Sequence, residues 1–303
     1  MKYCPSCDRG YADERTVCPV DGVALRQSRP GADPFIGQTI NGQYRVIRKL
    51  GGGPTGIVYM AEQLSVFRTV ALKILHREFV TNPQFERRFR REASVAALLG
   101  HRNVITVYDF DKAEDGSLYI AMEYVIGRTL REIMQEGIMA VGRAVNVVTQ
   151  AARGLGSAHA AGVIHRNVKP ENIMVITEGE EVKVIDFGIA RVIGQATPAG
   201  AGVIIGTPAY MAPEQIRGGA ITERTDIYSL GIVFSEMLCG RVPFEATTRT
   251  AVLVQHLNDI PAPVHELRRA VPLSVGKVVA RMLEKQPENR QKNMEEVVLS
   301  LKT

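Results

Sequence analysis

Between residues 44 and 75 three short strand-like runs surround a glycine cluster, and that arrangement leaves few folds open. Tyr44-Arg45-Val46-Ile47-Arg48-Lys49-Leu50 and Ile57-Val58-Tyr59-Met60-Ala61 have strand character, with Gly51 to Gly56 between them. Glycines at 51, 53 and 56 let backbone amides approach a phosphate without a Cβ in the way. A glycine-rich hairpin turn explains the same residues equally well. The dinucleotide-binding fingerprint does not, because it needs a helix after its last glycine and here a strand follows. Further on, Val70-Ala71-Leu72-Lys73-Ile74 sets one lysine among apolar residues, where an ammonium is costly unless it finds an anionic partner. Glu92, in the next helical segment, is the candidate for that partner.

The hydrophobic period changes along the chain. Phe85, Phe89, Ala93, Ala96 and Ala97 predict a helix running to Leu99 and stopping at Gly100. Val104–Phe110 and Leu118–Tyr124 read as strands around the turn at 114–117. After Gly127 helices dominate: Thr129–Glu136, Val141–Ala161, Thr225–Cys239, Thr248–Asn258, Ser274–Lys285 and Met294–Leu301. Two lobes are implied. With 303 residues, 45% hydrophobic and 23% charged, disorder and collagen-like structure are excluded. No apolar run reaches the roughly 18 residues of a membrane span, and the first residues lack a signal peptide's apolar stretch, so the chain reads as cytoplasmic. The 37 basic and 32 acidic residues give a net charge of +5, too evenly mixed to point to a nucleic acid partner.

Residues 1–22 hold Cys4, Cys7 and Cys18 with few large apolar residues, and 23–38 read as a linker. Cys4-Pro5-Ser6-Cys7 and Cys18-Pro19-Val20-Asp21 have the two-knuckle spacing of a zinc ribbon. A carboxylate can replace the usual fourth cysteine, so Cys4, Cys7, Cys18 and Asp21 form the candidate Zn²⁺ set. A redox-active Cys4/Cys7 pair, or Asp21 serving only its Asp-Gly turn, explains the same residues. Cys239 reads as a buried core thiol.

From about residue 44 to 301 the order of motifs resembles the eukaryotic-type protein kinase family, specifically its bacterial serine/threonine branch. After the Gly-rich loop, Lys73 and Glu92 come His165-Arg166-Asn167-Val168-Lys169-Pro170-Glu171-Asn172, Asp186-Phe187-Gly188, and Gly206-Thr207-Pro208 through Ala212-Pro213-Glu214; Asp226 and Arg290 complete the series. The resemblance implies an α+β bilobal fold behind the zinc-ribbon-like segment. Its kinase domain spans 39–303: a β-rich lobe with one main helix at about 39–122, a hinge at 123–128 and a helical lobe at about 129–303. It implies transfer of the ATP γ-phosphate to protein serine or threonine hydroxyls, which needs positioning and charge neutralisation more than covalent chemistry. Lys73, oriented by Glu92, would contact the α- and β-phosphates and Lys169 the γ-phosphate. Asp186 and Asn172 would ligate Mg²⁺. Adenine would lie at Glu123-Tyr124-Val125 behind Met122, between Val58, Ala71 and Met174. For Val58, Ala71 and Met174, plain core packing explains the residue type nearly as well.

The chain departs from the family at Asn167, where an aspartate is expected. An amide cannot take the acceptor hydroxyl's proton as a carboxylate can. General-base assistance contributes about 10²–10⁴-fold, so turnover is expected to fall by about that much while nucleotide binding survives. Asn167 is read as an introduced inactivating replacement, as a natural pseudokinase substitution that leaves a nucleotide-binding scaffold, or as a tolerated change. Intact matches at every phosphate and metal position favour the first. By the same resemblance, Thr207 matches the substrate-loop threonine, and Thr197 is the candidate regulatory phosphosite, paired with Arg166. The basic run Arg87, Arg88, Arg90 and Arg91 reads as a solvated face. Expected partners are a protein substrate, a regulatory protein or a second copy of the chain.

Overall fold

The computed structural model describes residues 2–4, 10–12, 14–20, 22–27, 33–53, 55–76, 83–187 and 207–302, and backbone alone at Tyr3, Arg26, Gln27, Pro83, Gln84, Arg88 and Glu92. Two compact units emerge: Met1–Ala93 with Thr106–Val125, and Ser94–Ile105 with Ile126–Thr303.

In the first unit, β1 (Lys2–Tyr3) pairs antiparallel with β2 (Gly10–Tyr11) and with β3 (Arg26–Gln27). Beside this small sheet, Cys4 and Cys18 are buried, and the Tyr11 hydroxyl lies 3.2 Å from Cys18 Sγ. The larger sheet contains β4 (Thr39–Ile40), β5 (Tyr44–Gly53), β6 (Gly56–Gln63), β7 (Arg68–Leu75), β8 (Val107–Lys112) and β9 (Leu118–Glu123), in the order β4-β5-β6-β7-β9-β8. Because side chains alternate across a strand, one face collects Tyr44, Val46, Tyr59, Ala61, Val70, Leu72 and Ile74 into the core. Two phenols there are satisfied by carboxylates, Tyr44 by Asp109 at 2.9 Å and Tyr59 by Asp33 at 2.8 Å. Helix α1 (Pro83–Ala97) buries Phe85 and Phe89 at helical spacing, and Phe89 meets Phe110 edge-on.

The strand read from Val104 starts at Val107. Residues 103–105 are drawn off by a different partner: Ile105 N–H donates to Val184 C=O, and Val184 N–H donates to Asn103 C=O, both at 2.9 Å.

The second unit begins with β10 (Gly127–Thr129), α2 (Leu130–Met134) and α3 (Val141–Ala160). A 3₁₀ turn (Pro170–Asn172) leads into β11 (Ile173–Ile176) and β12 (Val182–Val184), which complete a β10-β11-β12 sheet. The helices α4 (Pro213–Arg217), α5 (Glu223–Cys239), α6 (Arg249–Asn258), α7 (Val264–Leu267), α8 (Leu273–Met282) and α9 (Met294–Ser300) follow. Every residue of α5 from Thr225 to Leu238 is buried, so this helix is the unit's axis and has no solvent face. Cys239, at its last turn, is only partly buried; Gly240 in the left-handed conformation ends the helix there. Among the described residues no helix is long and apolar enough to cross a membrane.

Candidate functional site

In the first unit the sheet register collects the residues that sequence spacing could only name one at a time. Lys73 on β7 lies opposite Val58 on β6 and Ile120 on β9, and Ala71 lies opposite Met60 and Met122. Directly opposed residues share a face, so Val58, Ala71, Lys73 and Met122 converge on the sheet surface away from the Tyr44–Tyr59 core. Lys73 is 4% exposed there, as expected for a lysine held inside an apolar strand. The side chain of Glu92, its expected partner, lies outside the described residues. Glu123 N–H donates to Thr106 C=O at 2.9 Å, which fixes the end of β9.

The glycine cluster closes the β5–β6 hairpin, with Gly53 opposite Gly56. Its glycines differ in cause. A Cβ at Gly56 would lie 2.3 Å from Ile74 C=O, so packing alone requires glycine. At Gly51 and Gly53 an added Cβ would meet nothing within 4 Å. Among the described residues nothing demands glycine at those two positions, and their open faces suit the approach of a polyanion to the backbone. His76, just past β7, straps the hairpin: its Nε2 lies 3.0 Å from Gly53 C=O and its N–H 3.3 Å from Thr55 C=O.

The second unit holds a tightly fastened loop. Asp226, fully buried in α5, accepts His165 N–H at 2.8 Å, Arg166 N–H at 2.7 Å and the His159 imidazole Nε2 at 2.8 Å. Arg166 and Asp186 both have φ of +66°, a left-handed conformation costing about 1–3 kcal/mol per non-glycine residue, which persists only where the surroundings over-determine it. His165 is completely buried, and burial pushes its pKa below the usual imidazole range, so it is neutral. Its Nε2 meets Ile185 C=O at 2.8 Å and its Nδ1 accepts Asn167 N–H at 3.2 Å, which assigns the proton to Nε2. The ring also packs edge-on against Phe187 at 4.7 Å. Asn172 spends its amide nitrogen on Asn167 C=O at 2.8 Å, which turns its carbonyl oxygen the other way. Ile185 N–H donates to Asn172 C=O at 2.9 Å, placing Asp186 one residue beyond that anchor. A carboxylate and an amide oxygen carried so close in the chain are hard donors suited to Mg²⁺. Lys169 Nζ reaches Thr207 Oγ1 at 3.4 Å. Met174, on β11 opposite Thr129 and Lys183, lies in the β10-β11-β12 sheet.

Two further clusters brace this loop. Arg290 makes a bidentate pair with Glu214 at 2.8 and 2.9 Å. Arg131 binds Glu171 at 3.0 Å, Glu236 at 2.7 Å and the Tyr210 hydroxyl, while Tyr210 donates to Glu236 at 2.6 Å. Arg131, His159, Gln215 and Glu236 carried no local signal that sequence reading used. The pattern of Gln215, third in a helix that opens with proline, was visible as a helix-start signature.

Thr197, Gly188 and Gly206 lie outside the described residues, and so do Cys7 and Asp21. Among the described residues no group of three or more metal-ligating side chains comes together. Within the basic run, Arg90 is engaged by Glu86 at 3.4 Å and Asp111 at 2.9 Å, while Arg87 and Arg91 are exposed.

Comparison with known proteins covers nearly all of this architecture. The protein kinase domain model matches residues 44–299. Serine/threonine-protein kinase PrkC of Bacillus subtilis is 38% identical over 270 residues, covering 89% of this chain and 41% of that protein. Serine/threonine-protein kinase PknB of Mycobacterium tuberculosis is 41% identical over 257 residues, covering 83% of this chain and 41% of that protein. The chain therefore spans less than half the length of these two relatives. The crystal structure of the PknI kinase domain from Mycobacterium tuberculosis superposes with a TM-score of 0.71 at 28% identity, covering 88% of this chain and 97% of that one. With the family model spanning the glycine hairpin, the Asp226-fastened loop and the Glu214–Arg290 pair alike, the chain belongs to the protein kinase family, in its bacterial serine/threonine branch.

Proposed function

We propose that this chain binds ATP and transfers its γ-phosphate to serine or threonine hydroxyls of a protein, at a rate held down by Asn167. The observation that carries this reading is the intact fastening around position 167: Asp226, His165 and Asn172 hold the loop as a working kinase requires, and only the side chain that would accept the proton is altered. In this reading Gly51, Gly53 and Gly56 present backbone to the phosphates. Lys73 neutralises the α- and β-phosphates with Glu92 as its partner, and Lys169 the γ-phosphate. Val58, Ala71, Met122 and Met174 enclose adenine, with Glu123 and Val125 supplying backbone groups. Asp186 and Asn172 would hold Mg²⁺, which when bound offsets phosphate charge. Thr207, within reach of Lys169, would steady the acceptor side, and phosphorylation at Thr197 would regulate it.

The test is transfer of radiolabelled phosphate by this chain and by Asn167→Asp. We expect the Asp form to gain about 10²–10⁴-fold. If both bind ATP and neither transfers phosphate, the chain is a nucleotide-binding scaffold, the second reading that Asn167 supports.

For the N-terminal segment we propose a structural Zn²⁺ held by Cys4, Cys7, Cys18 and Asp21 in a reducing, cytoplasmic setting. Cys4 and Cys18 are buried in a segment with little apolar material to bury them, the situation a metal crosslink resolves. One zinc per chain, lost in Cys4→Ser and Cys18→Ser, is the expected elemental analysis; a metal-free wild type overturns the site.

A further inference from the structure

The peptide unit joining Arg166 to Asn167 is rigid and planar, so fixing its two polar edges fixes the direction in which residue 167 leaves the loop. One edge, Asn167 N–H, is held by His165 Nδ1 at 3.2 Å. The other, Arg166 C=O, accepts Gln215 Nε2 at 2.9 Å. Gln215 Oε1 accepts Ala212 N–H at 2.9 Å, the cap of α4. The orientation of this amide follows from its partners, since an N–H can only donate and a C=O only accept. Gln215 is therefore a two-ended tie between the start of α4, where Glu214 is locked by Arg290, and the strained residue next to position 167.

We propose that Gln215 is a positioning residue for phosphoryl transfer, holding the 166–167 peptide plane so that the side chain at 167 faces the acceptor hydroxyl. This rests on the kinase reading of the loop. Without the tie, that plane keeps its bond to His165 but loses its anchor on α4. The side chain at 167 then samples several directions, and catalysis falls through misplacement while nucleotide binding is untouched.

Gln215→Glu separates the two ends of the tie. A carboxylate keeps the acceptor for Ala212 N–H, and its charge is favourable in a helix's first turn. It has no proton for Arg166 C=O and presents oxygen to oxygen. We expect hydrogen exchange at the Asn167 amide faster by about five- to tenfold, the worth of one net hydrogen bond. In the Asn167→Asp background we expect kcat to fall by about tenfold with KM for ATP unchanged. Gln215→Met removes both ends, so it should show the same faster exchange together with a lowered Tm. Unaltered exchange at Asn167 in both variants overturns the proposal, as does full kcat in Asn167→Asp/Gln215→Glu. If Asn167→Asp with Gln215 intact transfers no phosphate, the kinase reading has failed; the exchange rates then still decide whether Gln215 orders the loop.

Discussion

Arg290 offers a quantitative test of how the helical unit is held. The residue is 1% exposed, and all five guanidinium N–H groups are used: Nε on Glu284 C=O, one terminal nitrogen on Glu214 and Arg224 C=O, the other on Glu214 and Lys285 C=O. Arg290→Met keeps most of the apolar stem and deletes every one of these bonds. The larger effect falls on Glu214. Burial pushes its pKa up, but the Arg290 hydrogen bonds and charge outweigh burial and hold it below the ordinary 4.5. With Arg290 gone, burial is opposed only by the weaker bonds from Glu214's own N–H and from Thr225, and the carboxylate is left without a counter-charge inside the unit. Removing one partner of a buried pair costs about 3–5 kcal/mol, which for a unit of this size lowers Tm by roughly 6–20 °C. In the wild type, a lowered folded pKa gives stability that is present above pH 4.5 and lost only below it. In Arg290→Met the folded pKa lies above the unfolded one, so the penalty is present at high pH and relieved as the group protonates. The gap between the two proteins is therefore widest near pH 8 and narrows towards pH 5. Urea unfolding followed by far-ultraviolet circular dichroism at both pH values measures it, and Glu214→Gln in the Arg290→Met background should recover part of the loss. A loss below about 1 kcal/mol, or one equal at the two pH values, refutes the buried-charge account.

Three other outcomes are expected. His256, fully buried, has its pKa lowered to about 4, chiefly by burial and then by the charge of Lys285, so folding loses stability as pH falls from 6.5 towards 4; relative to His256→Gln that extra acid sensitivity is up to about 3 kcal/mol, and parallel pH profiles for the two proteins would contradict it. Gly56→Ala should lower Tm sharply, because its Cβ would strike Ile74 C=O, whereas Gly53→Ala should leave Tm intact and weaken ATP binding by about tenfold; calorimetric titration distinguishes the pair, and equal behaviour counts against the phosphate role. His76→Ala should loosen the glycine hairpin, raising Kd for ATP a few-fold with little change in Tm, while His76→Gln, which retains a donor for Gly53 C=O, should restore much of the affinity.

Residues whose chemistry dictates their type were legible without a fold. A lysine in an apolar strand is costly where it stands and glycines at 51, 53 and 56 are unusual there, whereas the aspartate before Phe187 and the amide at 167 stood out only against the pattern of the kinase family. The long helices were legible too, because α3 and α5 run for about five turns of sustained pattern, and their predicted bounds lie within two residues of those observed. The strands of β10, β11 and β12 were not, since three or four residues are too few to display a period.

What only the tertiary structure decided is which distant groups meet. Register, not spacing, puts Val58, Ala71, Lys73 and Met122 on one face, because pairing across strands depends on partners tens of residues apart. The division between Gly56, required by a neighbouring carbonyl, and Gly53, which no described residue crowds, depends on what stands beside each Cα. The same holds for Asp226, whose carboxylate fastens a loop sixty residues earlier, and for Gln215, whose amide reaches Arg166 across 49 residues. The chain alone determined the kinds of side chain available for phosphate, metal and proton, because local chemistry is written in residue type. Their orientation came from long-range hydrogen bonds that satisfy buried polar groups, and those partners exist only once the chain has folded.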